Sequence, residues 1–148
     1  MRIVTLITVA VAAAALAAGT ATAAGAKSSG FFKTQNGKIY CLWVTSGRAQ
    51  VVCGIRNGSL KPKPTNKCRV TDPTGGWLNI NARGRARIQA CSGDAGPFAN
   101  PAQTKVLAPG RTWSGAGMSC KATASGMTCR NKSKHGFTMT TPGPYKKF

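Results

Sequence analysis

Apolar residues in this chain recur at every second position, the period of a β-strand, rather than at the three- and four-residue spacing of a helix. The clearest case is the stretch from residue 38 to residue 55, which is predicted to form a hairpin turning at residues 46–48, where a glycine is available. One register puts three pairs on the same face: Ile39 with Ile55, Cys41 with Cys53, and Trp43 with Val51. Because a slip of one residue would send all these side chains to the opposite face, the apolar pattern and the cysteines predict this register.

Two further hairpins follow the same period. The first spans Trp77–Cys91 and is expected to turn at residues 83–85. Its apolar face would pair Leu78 with Ala90, Ile80 with Ile88, and Ala82 with Ala86. The second spans Met118–Asn131, turns through residues 123–126 and places Cys120 opposite Cys129. A last strand is predicted over Gly136–Thr141.

The rest of the chain lacks a helical pattern, since Gly and Pro recur throughout it. Residues 27–30 are expected to form a loose start, and residues 57–76 and 92–104 to be irregular. We therefore predict an all-β fold, a small antiparallel sandwich or barrel of disulfide-stapled hairpins with long Gly/Pro-rich loops.

The first 26 residues have the layout of a secretory leader. Met1 and Arg2 precede an apolar run over residues 3–18, and small residues with Ala-x-Ala spacing follow. Residues 1–26 are predicted to be a cleaved signal peptide and residues 27–148 a single secreted domain, extracellular or associated with the cell envelope. An uncleaved anchor is the alternative, but the Ala-dominated run suits a leader better, so no stable membrane span is expected.

Six cysteines in a secreted chain indicate structural disulfides, although their pairing cannot be read from sequence alone. The hairpin registers favour Cys41–Cys53 and Cys120–Cys129, which leaves Cys68–Cys91. Metal ligation or a redox couple is the alternative. Neither a CxxC motif nor a Cys/His cluster occurs, so no metal and no other cofactor is expected.

Six short stretches, in a fixed order, carry a resemblance to a known group of proteins. They are Phe32–Cys41, Val51–Ile55, Val106–Cys120, Gly126–Asn131, His135–Phe137 and Tyr145–Phe148. In order and cysteine count the chain resembles a family of small secreted proteins, common in actinobacteria, that is classed as a domain of unknown function. The resemblance implies a secreted, disulfide-bonded β fold and transfers no catalytic residue. The chain departs from the family pattern at Gln35-Asn36, where the family has Pro-Ser, at Asp72 and Trp77, which break an Asp-Trp-Gly motif, and at Lys134, where the family has Gly.

The charge balance excludes several enzyme classes. The chain has 21 Lys and Arg against 2 Asp and Glu, for a formal net charge of +19. Asp72 and Asp94 are the only acidic side chains, too few for paired-carboxylate glycosidases, oxygen-rich calcium or magnesium sites, or Glu-assisted zinc hydrolysis. His135 is the single histidine and has no acid–base partner nearby in sequence. We expect no catalytic residue and a protein that is not an enzyme.

The same surplus of positive charge predicts a class of partner. Basic residues are dense in four places, residues 61–69, 83–87, 130–134 and 146–147. The candidate anion-binding residues are Arg83, Arg85 and Arg87, Lys61, Lys63 and Lys67, and Lys132 and Lys134. Such a surface binds anionic polymers: cell-wall polymers, acidic polysaccharide or, without sequence specificity, nucleic acid. High charge could instead serve solubility alone. The alternative function is a protein-binding or inhibitor module that uses exposed loops such as residues 92–104. Oligomeric state stays open. Trp43, Trp77 and Trp113 are candidates for stacking on sugars or bases, although Trp43 lies on the disulfide face of its hairpin and is expected to belong to the core.

Overall fold

The computed structural model describes residues 27–62, 76–89 and 95–148. In these residues the regular elements are eleven strands and two single-turn 3-10 helices, Gly96–Phe98 and Pro101–Gln103. The strands are β1 (Ser29–Thr34), β2 (Ile39–Val44), β3 (Gln50–Ile55), β4 (Trp77–Asn81), β5 (Arg87–Gln89), β6 (Lys105–Leu107), β7 (Thr112–Gly115), β8 (Met118–Ala122), β9 (Gly126–Asn131), β10 (Gly136–Thr140) and β11 (Tyr145–Lys147). Neither helical turn in this part of the chain has the length or hydrophobicity needed to span a membrane.

The strands form two sheets that pack face to face. The first has the order β5-β4-β3-β2-β1-β6 and the second β11-β10-β9-β8-β7. Neighbouring strands are antiparallel except for β1 and β6, which run parallel. One buried apolar cluster draws on both sheets and lies between them. The predicted all-β fold is confirmed in its sandwich form.

The two sheets share one connectivity. Strands β1–β5 and β7–β11 are both five-stranded meanders in which each strand pairs with the next along the chain. In both, a disulfide joins the second strand to the third, Cys41–Cys53 in one and Cys120–Cys129 in the other. Cys53 Sγ and Cys129 Sγ lie 4.0 Å apart, so the two disulfides touch at the centre of the core. Both disulfides close the predicted hairpins, which confirms these two pairings.

Both disulfide hairpins have the registers predicted from sequence. Ile39 lies opposite Ile55 and Trp43 opposite Val51 in the first. In the second, Cys120 lies opposite Cys129, and the chain turns where Thr123 N donates to Gly126 O at 2.9 Å. The predicted Cys68–Cys91 disulfide falls outside the described residues.

The register predicted for the hairpin of β4 and β5 is wrong by two residues. Leu78 lies opposite Ile88, where the apolar pattern predicted Ala90. A shift of two keeps every side chain on its predicted face, because side chains alternate with period two. The tip is wider than predicted, and two of its backbone carbonyls, those of Asn81 and Gly84, accept hydrogen bonds from Asn131 in the other sheet.

Four strands have no counterpart in the sequence prediction. β1 begins at Ser29, inside the segment expected to be a loose start, and β6, β7 and β11 are three or four residues long. Strands this short offer too few positions for an alternating pattern to be visible. Their positions depend on pairing with longer strands, as β6 pairs with β1 and β11 with β10.

The segment before β6 covers part of the outer face of the first sheet. The ring of Phe98 lies 5.7 Å from that of Tyr40, and a Cβ on Gly54 would lie 2.9 Å from Phe98 Cζ. Trp77 is buried beside the same segment, and its Nε1 has no hydrogen-bond partner among the described residues. The loop expected to offer a free surface to a protein partner is therefore packed on the sheet over Gly96–Phe98.

Candidate anion-binding site

Three of the predicted anion-binding residues extend from the hairpin of β4 and β5. Arg83 and Arg85 lie in the turn, Arg87 begins β5, and all three are exposed. Gly84, between the first two, has φ +84°, a left-handed conformation that glycine adopts without a steric penalty. Arg87 lies opposite Asn79, on the outer face of the sheet.

The side chain of Asn131 joins this arginine turn to the second sheet. Its Nδ2 donates to the carbonyls of Asn81 at 3.0 Å and Gly84 at 2.7 Å. Its Oδ1 accepts from the backbone N–H of Ser133 at 3.0 Å and of His135 at 3.1 Å. The residue is 5% exposed, so one buried amide holds two loops that lie far apart in sequence.

The second of these loops, between β9 and β10, carries Lys132 and Lys134. Both are exposed, and the turn closes where Lys134 N donates to Asn131 O at 3.0 Å. Lys134 has φ +63°, a left-handed conformation that glycine adopts more readily than lysine. The aliphatic part of the Lys132 side chain lies over Gly117 in the neighbouring turn. A Cβ added to Gly117 would lie 2.5 Å from Lys132 Cε. The two predicted clusters, three arginines and two lysines, are thus brought to one end of the sandwich.

Two shallow hollows lie on this end of the molecule. One, of about 420 Å³, has four arginines in its lining: Arg48, Arg83, Arg85 and Arg87. The other, of about 360 Å³, is lined by Arg85, Ala86, His135, Lys147 and Phe148. Arg85 lines both, so the two hollows meet at its side chain. We call this surface the cationic end and define it by Arg48, Arg83, Arg85, Arg87, Lys132, Lys134 and Lys147.

Comparison with known proteins places the chain in a family. Residues 7–143 match the model of a family of unknown function, DUF6636. The chain belongs to the DUF6636 family. No curated protein and no solved structure matches it. The matched residues of this DUF6636 chain include the arginine turn and both lysines of the β9–β10 loop, whereas Lys147 lies beyond them.

Lys61 is exposed but stands apart from the cationic end of this DUF6636 protein. Its N–H donates to Gly143 O at 2.8 Å, beside the turn between β10 and β11. Lys132 and Lys134 precede β10, so the length of that strand separates them from Lys61. Lys63 and Lys67, the other two lysines of the predicted cluster, lie outside the described residues.

The chemistry available at the cationic end is the binding of anions. Asp72 and Asp94 lie outside the described residues, so within those residues no carboxylate side chain neutralises the arginines. Guanidinium groups offer paired N–H donors to phosphate, sulfate and carboxylate. Across residues 27–62, 76–89 and 95–148, no three His, Cys, Asp or Glu side chains come together as they would at a metal site.

Arg48 belongs to the cationic end but was not among the anion-binding residues predicted from sequence. It lies in the turn between β2 and β3, and Gln50, which starts β3, pairs with Asn81, which ends β4. In a meander the turns of alternate hairpins fall at the same end of the sheet, so Arg48 adjoins the arginine turn. Pairing of β3 with β4 was the missing information.

The two disulfides are consistent with an extracellular location.

Proposed function

We propose that this protein is a secreted, non-catalytic basic domain that binds anionic polymers of the cell envelope or extracellular space through its cationic end. The observation that carries the proposal is the convergence of the seven basic side chains defined above, which come from three turns and two strands, at one end of the sandwich. Positive charge collected in one place, without a carboxylate side chain to offset it among the described residues, attracts polyanions more strongly than the same charge spread evenly.

Preorganisation supports a binding role. Asn131 holds the backbones of the arginine turn and the lysine loop together, so an anion need not bring these two segments into place before it binds. The arginines themselves are exposed, so a polymer can approach them without displacing other parts of the protein.

Repeating negative charge is the property shared by the ligands that such a surface would take. Wall polymers, acidic polysaccharides and nucleic acids all carry phosphate, sulfate or carboxylate groups at regular intervals. Binding to them releases condensed counterions and therefore weakens steeply as salt rises. The nucleic-acid form of the proposal is binding to the phosphate backbone, without sequence reading.

The test is retention on purified cell wall and on immobilised heparin across a salt gradient. We expect elution well above physiological ionic strength, about 0.15 M. A variant with Arg83, Arg85 and Arg87 all changed to Gln is expected to elute at markedly lower salt. The matched control changes three exposed basic residues outside the cationic end, Lys38, Lys61 and Arg111, to Gln, which removes the same charge. This control is expected to elute close to the unmodified protein.

Two results would contradict the proposal. Elution of the unmodified protein at or below physiological salt would exclude electrostatic retention as its function. Equal shifts in the two triple variants would show that total charge, and not the cationic end, governs binding. A complex with a protein that resists high salt in pull-down would favour the alternative, a protein-binding or inhibitor module.

A further inference from the structure

A second concave surface lies at the opposite edge of the first sheet from the arginine turn. It is a groove of about 680 Å³ between β1, β6 and β7. Its floor is aromatic: the rings of Trp43 and Trp113 lie 5.5 Å apart at 34°, and Phe32 stacks on Trp113 at 5.6 Å. Both indoles are only half-buried, although they pack against the core, so part of each faces the groove.

Glycines fix the position of both indoles. A Cβ on Gly30 would lie 2.7 Å from Trp43 Cζ2, so the Trp43 ring rests directly on the backbone of β1. A Cβ on Gly115 would lie 2.9 Å from Trp113 Cζ2. These rings are therefore held in place before any ligand arrives, which lowers the entropic cost of binding.

The rim of the groove is polar and positively charged. Lys27 and Lys105 are exposed on it, together with Ser29, Gln103 and Thr112. Lys105 pairs with Phe32, so its side chain is on the same side of the sheet as the aromatic floor. The described residues contribute no carboxylate side chain to the groove, so neither lysine has an acidic partner there.

We infer that this groove binds a saccharide unit that carries a carboxylate, as in a uronic-acid oligosaccharide. A sugar ring has an apolar C–H face that packs on an indole, and hydroxyls that bond to polar side chains such as Gln103 and Thr112. The acid group would then reach Lys27 or Lys105. A nucleobase fits less well, because Trp43 and Trp113 lie against each other and against backbone and leave no slot in which a base could be sandwiched.

The groove and the cationic end fall at the same end of the first sheet. Ser29 pairs with Val44, Val44 with Gln50 and Gln50 with Asn81, which makes one line across β1, β2, β3 and β4. Three strand spacings along this line amount to about 14 Å. Arg48, in the turn between β2 and β3, lies along that path. One acidic chain can thus contact the aromatic groove and the cationic end together. None of the basic residues that define the cationic end lines the groove.

The experiment is titration of the purified protein, followed by tryptophan fluorescence, with a galacturonic acid tetrasaccharide. Two ligands serve for comparison. One is the methyl ester of the tetrasaccharide, which has the same rings without the charge, and the other is a short oligothymidylate. We expect saturable binding of the acid form to the unmodified protein, and binding of the ester that is at least about tenfold weaker. The Lys105→Gln variant should bind the acid form about three- to tenfold more weakly than the unmodified protein does. Lys38→Gln removes the same charge outside the groove and is expected to have little effect.

The outcomes separate this inference from the role of the cationic end. The variant with Arg83, Arg85 and Arg87 changed to Gln should keep the saturable response even where it loses retention on heparin. Failure of the acid form to alter tryptophan emission would overturn the inference, and so would equal affinity for the ester. Tighter binding of oligothymidylate than of either saccharide would also overturn it and would assign the groove to nucleic acid. Trp43→Phe, which keeps an aromatic ring over Gly30, should weaken binding while its unfolding transition stays cooperative.

Discussion

Asn131 Nδ2 donates a hydrogen bond of 2.7 Å to the backbone carbonyl of Gly84, across the interface between the two sheets. This contact, with its partner bond to Asn81, joins the arginine turn to the residue that directly precedes Lys132. A single buried amide therefore contributes both to the fold and to the shape of the proposed binding surface.

Replacing Asn131 with Ala should destabilise the protein by about 2–3 kcal/mol, because four backbone groups in the two loops lose a hydrogen-bond partner. Chemical denaturation measures the change in the free energy of unfolding. Gln35→Ala, which removes an exposed side-chain amide, is the control and should cost less than about 1 kcal/mol. Retention on heparin should also fall for Asn131→Ala, although no charge is removed. An Asn131→Ala protein as stable as the unmodified one would show that the two loops are held by other contacts.

Lys134→Gly should separate stability from binding. Glycine relieves the left-handed backbone at φ +63°, so the variant should be no less stable and up to about 1 kcal/mol more stable. Loss of one positive charge from the cationic end should at the same time lower the salt concentration of elution. Asn57→Gly makes the same backbone change at φ 55° without removing a charge, and its elution should not move. Unchanged elution of Lys134→Gly would remove Lys134 from the binding surface.

The two disulfides should each contribute about 3 kcal/mol to the free energy of unfolding, mainly by restricting the unfolded chain. Double substitution of Cys120 and Cys129 by Ala, or of Cys41 and Cys53, tests this in separate denaturation experiments. Native protein treated with an alkylating agent without reduction should take up no label at these four residues. Peptide mapping by mass spectrometry should also find Cys68 joined to Cys91. Label on any of the four, or a different partner for Cys68, would contradict the assignment.

Two glycines should respond to alanine for different reasons. A Cβ on Gly136 would collide with the carbonyl oxygen of Cys129 in the neighbouring strand, so Gly136→Ala should cost about 3 kcal/mol or more. A Cβ on Gly84 would meet nothing within 4 Å, and only its φ of +84° opposes alanine, at a cost of about 1–2 kcal/mol. Thermal and chemical denaturation of both variants give the comparison. Equal costs would mean that the neighbouring strand gives way to the added Cβ, so that space does not limit Gly136.

Much of this fold was accessible from sequence because its main signals are local. The alternation of apolar residues, a glycine at the turn and two cysteines at matching distances from it all lie within residues 38–55, and the observed register agrees. The same holds for the hairpin that Cys120–Cys129 closes. Short edge strands such as β6 and β11 escaped prediction because three residues carry no readable period.

The candidate site was likewise predictable from sequence only in part. Surplus positive charge and the local clusters at Arg83–Arg87 and Lys132–Lys134 are properties of composition, and they predicted the class of partner now proposed. Nothing local indicated that these two clusters adjoin while Lys61 stands elsewhere, or that Arg48 joins them. That selection follows from the pairing of whole strands and sheets.

The sequence alone determined the β period and the excess of basic residues, and it favoured two of the disulfide pairings, because the two cysteines of each pair lie in one hairpin. Tertiary structure decided the two-residue shift between β4 and β5, the convergence of the cationic end and the aromatic groove. The physical reason is visible in one bond: Asn131 and Gly84 are 47 positions apart, and only the packing of one sheet on the other brings the amide to the carbonyl.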